Sequence, residues 1–183
     1  MTLVRSQFEH CPIVWRPSSE SSVNRLESIQ KRAIKWVLDE VYESYSLDST
    51  YLRKCKQLNI LPISTRFALK DLTSFHSIFY GLSVVSLPYY LSRFAGTRLR
   101  TSHLDSLNIV SEVCPRTPQN LHSENSCLGI SKSYFYRAHL AWNNLPYDLR
   151  SIELPGKFKE ELIDYLWKQL LIQIQNDPNM EHT

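Results

Sequence analysis

The sequence predicts a mainly α, compact helical domain of about five helices, with a short β-hairpin or irregular insert around residues 97–131. Apolar residues recur every three or four positions in five segments, the pattern of helices that bury one face. Between the third and fourth segments the period becomes a loose alternation, and Pro, Ser and Asn accumulate. The chain has 183 residues, 43% of them hydrophobic, which suits one domain, or one domain with a small appendage, whose core needs no covalent staples.

The first helix is predicted at residues 23–38, with Ser21 or Ser22 as its N-cap. On a helical wheel its apolar half contains Leu26, Ile29, Ala33, Ile34, Trp36 and Val37. Its basic half contains Arg25, Lys31, Arg32 and Lys35. The apolar half needs a core to cover it, so the basic half faces either water or an anion. The helical wheel does not distinguish between a solvated face and an anion-binding face.

The second helix is predicted at residues 49–57, where Leu52, Cys55 and Leu58 are spaced to pack inward. Cys55 is interpreted as a small core hydrophobe. The chain then breaks at "NILPIS", because Pro62 disfavours helix in the residue before it.

The third helix is predicted at residues 65–82, with Ser64 as its N-cap and with Gly81 and then Pro88 marking its end. Its inward stripe consists of Phe67, Leu72, Phe75, Ile78, Phe79 and Leu82. At the edge of that stripe, we expect His76 to be a hydrogen-bonded core histidine, since no Cys or His lies three or four residues away.

The insert is predicted to hold one or two short strands. The stretch "RLRTSHLDSLNIV" alternates loosely, residues 111–126 have the composition of a loop, and "CLGIS" is a candidate second strand returning beside the first.

Two further helices are predicted at residues 133–145 and 156–173, and residues 176–183 form a polar, frayed tail. The buried positions of these helices are Tyr134, Phe135, Ala138, Ala141, Trp142 and Leu145, then Phe158, Leu162, Tyr165, Leu166 and Leu170. Between the helices, "WNNLP" is interpreted as a helix end, with Asn143 and Asn144 satisfying the last carbonyls or adopting a left-handed turn.

Composition and charge exclude few functions. The net charge of +3 is compatible with nucleic acid without requiring it. No apolar run is long enough to span a membrane, the N-terminus does not read as a signal peptide, and the four cysteines lie far apart. We therefore expect an intracellular protein, nuclear or cytoplasmic, with no membrane partner.

Motifs for catalysis and for metal binding are weak. The sequence contains no G-x-S-x-G, no P-loop and only four glycines, and its aspartates are scattered, so no catalytic residue is assigned. His103, Cys114, His122 and Cys127 are grouped, but the close pair of ligands typical of structural zinc is missing. Zinc is not favoured, although metal binding by Cys114, His122 and Cys127 stays open.

Basic residues interleave with aromatic ones in "RSQFEHCPIVWR", "KRAIKW", "RFAGTRLR" and "YFYR". Such stretches can contact phosphates and stack on bases. From spacing alone, the interpretation of the aromatics as core and of the charges as its solvated rim is favoured.

Five stretches in order carry a resemblance that covers about residues 2–168. They are "LVRSQFEHCPIVW", "RLESIQKRAIKWV", "LNILPISTRFALKDLTSFHSIFYG", "SYFYRAHLAWNNLPYDLRS" and "FKEELIDYLW". Together they resemble the thumb and post-thumb region of a jockey-type non-LTR retrotransposon reverse transcriptase, an RNA-directed DNA polymerase. The resemblance implies a fragment of a longer polyprotein, in which Met1 is an internal position of the parent element.

The resemblance implies a helical part, residues 1–95, that grips the template–primer duplex. Residues 96–132 would then hold the short strands and loop, and residues 133–175 a helical pair packing on the first part. The family's two magnesium ions are held by a palm with an aromatic-x-Asp-Asp motif. That motif is absent here, so we expect no cofactor and no polymerase activity from this chain alone.

The resemblance also gives the basic half of the first helix a role. It implies that Arg25, Lys31, Arg32 and Lys35 are the main phosphate contacts, with Arg5 and Arg16 as weaker ones. The implied partners are an RNA/DNA template–primer duplex and the palm and fingers of the parent polymerase. The alternative is a generic helical protein–protein interaction domain with no nucleic-acid role.

Overall fold

The computed structural model describes residues 12–17, 19–38, 48–89, 91–93, 107–111 and 133–175. The helices in these residues are α1 (Pro12–Trp15), α2 (Glu20–Val37), α3 (Asp48–Gln57), α4 (Ile63–Phe79), α5 (Tyr134–Asn143), α6 (Tyr147–Arg150) and α7 (Pro155–Gln175). Two short strands, β1 (Leu91–Arg93) and β2 (Ile109–Ser111), complete the described elements. The predicted mainly α class is confirmed. The prediction missed α1 and α6, whose single turns are too brief to show a periodic stripe.

Helix α4 is the centre of the described structure. It contacts α1, α2, α5 and α7, so apolar side chains on most of its circumference are buried. The core lies mainly between α4, α5 and α7, and Leu91 and Ile109 of the two strands close one side of it. The stripe predicted from Phe67 to Phe79 is largely buried, whereas Leu82 lies beyond the helix and is 57% exposed.

The start of α4 differs from its prediction. The helix begins at Ile63, two residues early, and Pro62 occupies the N-cap position with no side-chain hydrogen bond. Ser64 therefore lies inside the first turn, and the prediction that it is the N-cap was wrong. The free N–H groups of this turn need an acceptor from another part of the chain.

Gly81 marks the end of α4 as predicted, although the helix ends at Phe79, three residues before the predicted Leu82. Gly81 has φ +70°, a left-handed conformation that glycine adopts without steric cost. The N–H of Gly81 donates to the carbonyl of Ile78 at 3.2 Å, and the N–H of Leu82 donates to that of Ser77 at 2.8 Å. These two bonds form a Schellman motif, which satisfies carbonyls that the helix leaves free.

Aromatic rings fill the space between α4, α5 and α7. Trp142 is fully buried, and its ring centroid lies 5.7 Å from that of Phe75, 4.9 Å from that of Phe79 and 5.9 Å from that of Phe158. Its indole N–H donates to the carbonyl of Leu107 at 2.9 Å. The polar end of a large core side chain is thereby satisfied, as burial requires.

His76 belongs to this aromatic core. Its ring is fully buried and stacks on Phe158 with centroids 4.1 Å apart, and its Nε2 donates to the carbonyl of Ile152 at 2.6 Å. The prediction of a hydrogen-bonded core histidine is confirmed. Burial lowers the pKa of His76, and burial also lowers the pKa of His139 on α5, so both rings are held neutral.

The two strands pair in an order that the sequence did not indicate. β1 and β2 are antiparallel, with Ser92 opposite Val110. A strand ending the alternating stretch was predicted, and β2 confirms it. Its observed partner precedes that stretch, however, and the candidate return strand at residues 127–131 lies outside the described residues. So does the predicted frayed tail at residues 176–183.

Asn143 holds strand β2 against α5. Its side-chain amide donates to the carbonyl of Ile109 at 2.8 Å, and its side-chain oxygen accepts from the N–H of Ile109 at 2.9 Å. The helix does end here, with Asn144 as the C-cap, but at φ −81° rather than in a left-handed turn. The predicted helix terminator is thus confirmed for Asn144, while the amide of Asn143 satisfies a strand instead of the helix carbonyls.

Asp71 connects three segments that are distant in the chain. Its buried carboxylate accepts from Arg16 Nη1 at 2.6 Å and from Arg137 Nε at 2.8 Å. Arg137 also donates to the carbonyl of Ile13 at 3.3 Å, and Tyr134 donates to the carbonyl of Asp71 at 3.2 Å. These bonds fasten α1 and α5 to the middle of α4 and give a buried charge the partners it needs.

Replacing Asp71 by Asn should lower the free energy of unfolding by about 2–3 kcal/mol, because two charge-assisted hydrogen bonds to partly buried arginines are weakened. Urea titration followed by circular dichroism measures the change. The matched control is Asp164→Asn on the exposed side of α7, which should change stability by less than about 0.5 kcal/mol. Equal effects of the two substitutions would contradict this role.

Stability should fall as the pH is lowered below about 6.5, the pKa of an unfolded histidine. The unfolded chain takes up protons there at a higher pH than the folded chain does, because burial lowers the pKa of His76 and of His139 in the fold. Each histidine makes the free energy of unfolding fall by up to about 1.4 kcal/mol per pH unit below this value. At neutral pH this loss is absent. Urea midpoints at about pH 7.5 and about pH 5.5 measure this, and His76→Asn should flatten the dependence.

Candidate nucleic-acid interface

The candidate interface lies on α2, whose N-terminus is set by a serine before the predicted pair. Ser19 is the N-cap, and its hydroxyl oxygen accepts from the N–H of Ser22 at 3.4 Å. The helix therefore begins at Glu20, three residues earlier than the sequence predicts. Glu20 in the first turn complements the positive end of the helix dipole.

One narrow face of α2 is buried. Ile34 is only 1% exposed, and α2 packs mainly on α3 and α4. Gln30, one turn before Ile34 on the same face, donates from Nε2 to the carbonyl of Leu61 at 3.1 Å and to the hydroxyl of Tyr51 at 3.0 Å. Polar as well as apolar contacts therefore fix the rotation of α2 about its own axis.

Glu27 supplies the acceptor that α4 needs. Its Oε1 accepts from the N–H of Ile63 and its Oε2 from the N–H of Ser64, both at 3.2 Å. The carboxylate thus satisfies two free N–H groups and interacts favourably with the helix dipole. Tyr51 also donates its hydroxyl to Glu27. Burial and the neighbouring Glu27 raise the pKa of Tyr51, so this hydroxyl keeps its proton.

Cys55 lies in the same contact region, on α3. It is fully buried, which confirms the prediction of a small core residue. Burial raises the pKa of its thiol to about 11. The thiol is therefore protonated at neutral pH and is a poor nucleophile.

The opposite face of α2 is basic and open. Arg25, Lys31 and Arg32 are exposed, and Lys35 is half-buried. Lys31 lies over the ring of Tyr51, with Nζ 5.0 Å from the centroid, so its cation is held near the surface of α3. All four predicted cations therefore lie on one helix, at positions that extend over roughly three turns.

No acid on α2 neutralises this face. Between Glu20 and Val37 the only other acid is Glu27, and its carboxylate is turned inward to cap α4. Within the described part of the chain, neither Arg25 nor Arg32 contacts a carboxylate. Arg25 and Arg32 consequently give this part of α2 a positive local field, which is stronger than the small net charge of the chain implies.

The predicted apolar half of α2 is partly wrong. Trp36 is 84% exposed, and Ile29 and Val37 are exposed as well. The reason is geometric, since α2 packs mainly on α3 and α4 and this contact covers only a narrow arc. Ile29 and Trp36 fall outside that arc, beside Arg25 and Arg32, so they face solvent.

The two weaker predicted contacts lie elsewhere. Arg16 is bound to Asp71 and lies over the Phe67 ring, with its guanidinium carbon 5.4 Å from the centroid. This ion pair inside the fold competes with any contact between Arg16 and a phosphate. Arg5 lies outside the described residues.

The structure assigns no metal site in the residues it describes, where no group of three or more His, Cys, Asp or Glu side chains is placed to hold an ion. His103, Cys114, His122 and Cys127 all lie outside the described residues.

None of the described helices is both long enough and apolar enough to cross a membrane.

Comparison with known proteins identifies no relative. No protein-family model, curated protein or solved structure matches this chain.

The sequence identified the four cations of α2. It did not predict that Glu27 caps α4 or that Trp36 is exposed. Glu27 had a detectable signal, because it is a single acid that lies beside Ile34 on the wheel, at the edge of the apolar arc. An acid at such a position requires a buried donor. No feature of the sequence indicated that Trp36 is exposed, because a tryptophan beside Val37 at the end of a helix is as compatible with burial as with exposure.

Replacing Glu27 by Ala should lower the free energy of unfolding by about 1–2 kcal/mol, because α4 loses its acceptor for two N–H groups. Glu27→Gln should cost less, since one oxygen acceptor remains. The control is Glu161→Ala, an exposed position in the interior of α7. Chemical denaturation measures all three, and a loss for Glu27→Ala no larger than that of the control would disprove the cap.

Proposed function

We propose that this domain holds the sugar–phosphate backbone of a nucleic-acid duplex through the basic face of α2. In this proposal it is the thumb-like region of a retrotransposon reverse transcriptase, and the palm and fingers belong to other parts of the parent polymerase. The observation that carries the proposal is the placement of Arg25, Lys31, Arg32 and Lys35 along one side of α2, where the two arginines are exposed and contact no carboxylate among the described residues.

The chemistry of these side chains suits phosphate contact. Lysine and arginine bind phosphates without reading the bases, and binding releases the counterions condensed on the duplex. Four such contacts would give a dependence of log affinity on log salt with a slope of about −3.6 for B-form DNA. A grip of this kind tolerates any template sequence, which a polymerase thumb requires.

The fold presents this face on a rigid support. Ile34 and Gln30 fix the rotation of α2, and Glu27 ties it to the first turn of α4. Because these contacts are on the inward side, the basic side chains can bind an anion without disturbing the core. The order of the five resembling stretches supports the assignment to a thumb.

The proposal assigns no catalytic step to this chain. Asp71 is the only fully buried carboxylate among the described residues, and two arginines already occupy its oxygens. A two-metal polymerase site needs carboxylates that converge on the ions, and no such group occurs in the part of the chain described.

A second candidate function is a protein–protein interaction domain, and the segment after α4 favours it. Leu82, Val84, Val85 and Tyr89 are all exposed and lie within eight residues of one another in the chain. Apolar side chains concentrated on one exposed segment are typical of a surface that another protein covers.

Neutralising Lys31, Arg32 and Lys35 to Gln should weaken binding to an RNA–DNA hybrid and reduce the salt slope by about 2–3. Fluorescence anisotropy at several salt concentrations measures both quantities. The control variant carries Lys157→Gln, Lys159→Gln and Lys168→Gln on exposed positions of α7, which removes the same charge from another surface.

The control should retain the affinity and the salt slope of the original chain. If both triple variants bind alike, the loss reflects net charge and the basic face of α2 is not the interface. If the original chain does not bind the hybrid even at low salt, the nucleic-acid proposal is wrong and the second candidate is favoured.

A further inference from the structure

A second surface lies along the edge of the basic face of α2. Arg25, Ile29, Arg32 and Trp36 follow one another at intervals of four, three and four residues, which places them within an arc of about 60°. We call these four residues the Trp36 strip. All of them are exposed, and Trp36 at its C-terminal end is 84% exposed.

The exposure of Trp36 is not explained by the fold. A tryptophan presents roughly 150–250 Å² of surface, and burying it would stabilise the domain. The described core leaves this ring in water instead, beside Arg25 and Arg32, which contact no carboxylate among the described residues. A large aromatic ring with only positive charges along the same strip is complementary to an anionic partner that itself offers flat, apolar faces.

A nucleic acid with unpaired bases is such a partner. Its phosphates are anionic, and every base has a π-face on which an aromatic side chain can stack. In a duplex those faces are covered by neighbouring bases, so a helix lying along the backbone meets phosphates alone. Only a base that has left the duplex exposes a face to Trp36.

We infer that Trp36 stacks on an unpaired base where a single strand leaves the duplex, while Arg32 and Arg25 hold phosphates of that strand. This inference rests on the proposed function and names a further part of its ligand. Arg32 lies about 6 Å along the helix axis from Trp36. Arg25 lies a further about 10.5 Å away, the axial rise of about three nucleotides, so the two guanidiniums bind different phosphates.

The two flanks of α2 suit two different ligands, the duplex on one flank and the single strand on the other. Lys31, which contacts Tyr51 of α3, and Lys35 lie on the flank away from Ile29, whereas Trp36 lies on the far side of Arg32. A duplex on the basic flank thus places its single-stranded continuation on the Trp36 strip. Ile29, between the two arginines, adds an apolar contact for a base or sugar.

The test compares a blunt RNA–DNA hybrid with the same hybrid carrying a short single-stranded extension. Trp36→Ala should lower the affinity for the extended hybrid by about 5- to 100-fold, the range expected for one lost base–aromatic stack. It should leave the affinity for the blunt hybrid within about twofold. Trp36→Phe should retain most of the preference for the extended hybrid, because a ring remains to stack.

Tyr89→Ala, which removes another exposed aromatic ring, is the control and should leave both affinities unchanged. Tryptophan fluorescence is a second readout. The extended hybrid should quench emission in the original chain, and the blunt hybrid should quench less. This difference should disappear in Trp36→Phe, in which Trp15, Trp142 and Trp167 remain.

Failure of the inference and failure of the proposed function give different results. If Trp36→Ala affects the two hybrids equally, or neither, Trp36 does not bind an unpaired base, while the duplex interface of α2 stands. If Trp36→Ala changes only self-association measured by size-exclusion chromatography, the strip is a protein interface and the inference is overturned. If the original chain binds neither hybrid, both proposals are wrong.

Discussion

The capping of α4 by Glu27 is the contact that joins the start of the central helix to the orientation of α2. The central helix follows Pro62, so it starts without a side chain of its own to accept from its first N–H groups. The half-buried carboxylate of Glu27 on α2 accepts from the N–H groups of Ile63 and Ser64 instead. One contact therefore fixes where α4 begins and which side of α2 faces the core.

That contact also generates the candidate site. Glu27 is the acid that would otherwise partner the cations of α2, at helical spacing from Lys31 on the same helix. Its carboxylate is used as a cap, and Arg25 and Arg32 on the outer face contact no carboxylate among the described residues. The stability of α4 and the electrostatic character of the surface are thus linked, because the carboxylate that caps α4 is directed at Ile63 and Ser64 and not at the arginines of the outer face.

Much of the fold was predictable because the buried face of a helix appears in the sequence as a regular repeat of apolar residues. The segments around Phe75, Trp142 and Phe158 repeat apolar residues at three- and four-residue intervals, and all three side chains are fully buried. Gly81 marked the end of α4 for a local reason, its freedom at positive φ. Features that join distant segments had no such local signal. The pairing of β2 with β1, the clamp of Asn143 on Ile109 and the ion pairs of Asp71 connect positions tens of residues apart.

The sequence by itself determined a mainly α domain, most of its buried positions and a helix with four cations on one side. These follow from local periodicity and residue chemistry, which act over a few turns. Only the tertiary structure decided how much of α2 is covered. Because α3 and α4 contact a narrow arc of that helix, Glu27 is directed at the start of α4 and Trp36 is exposed. A helical wheel shows the direction in which each side chain points. It does not show how wide an arc of the helix the neighbouring helices cover, and the packing of the whole domain sets that width.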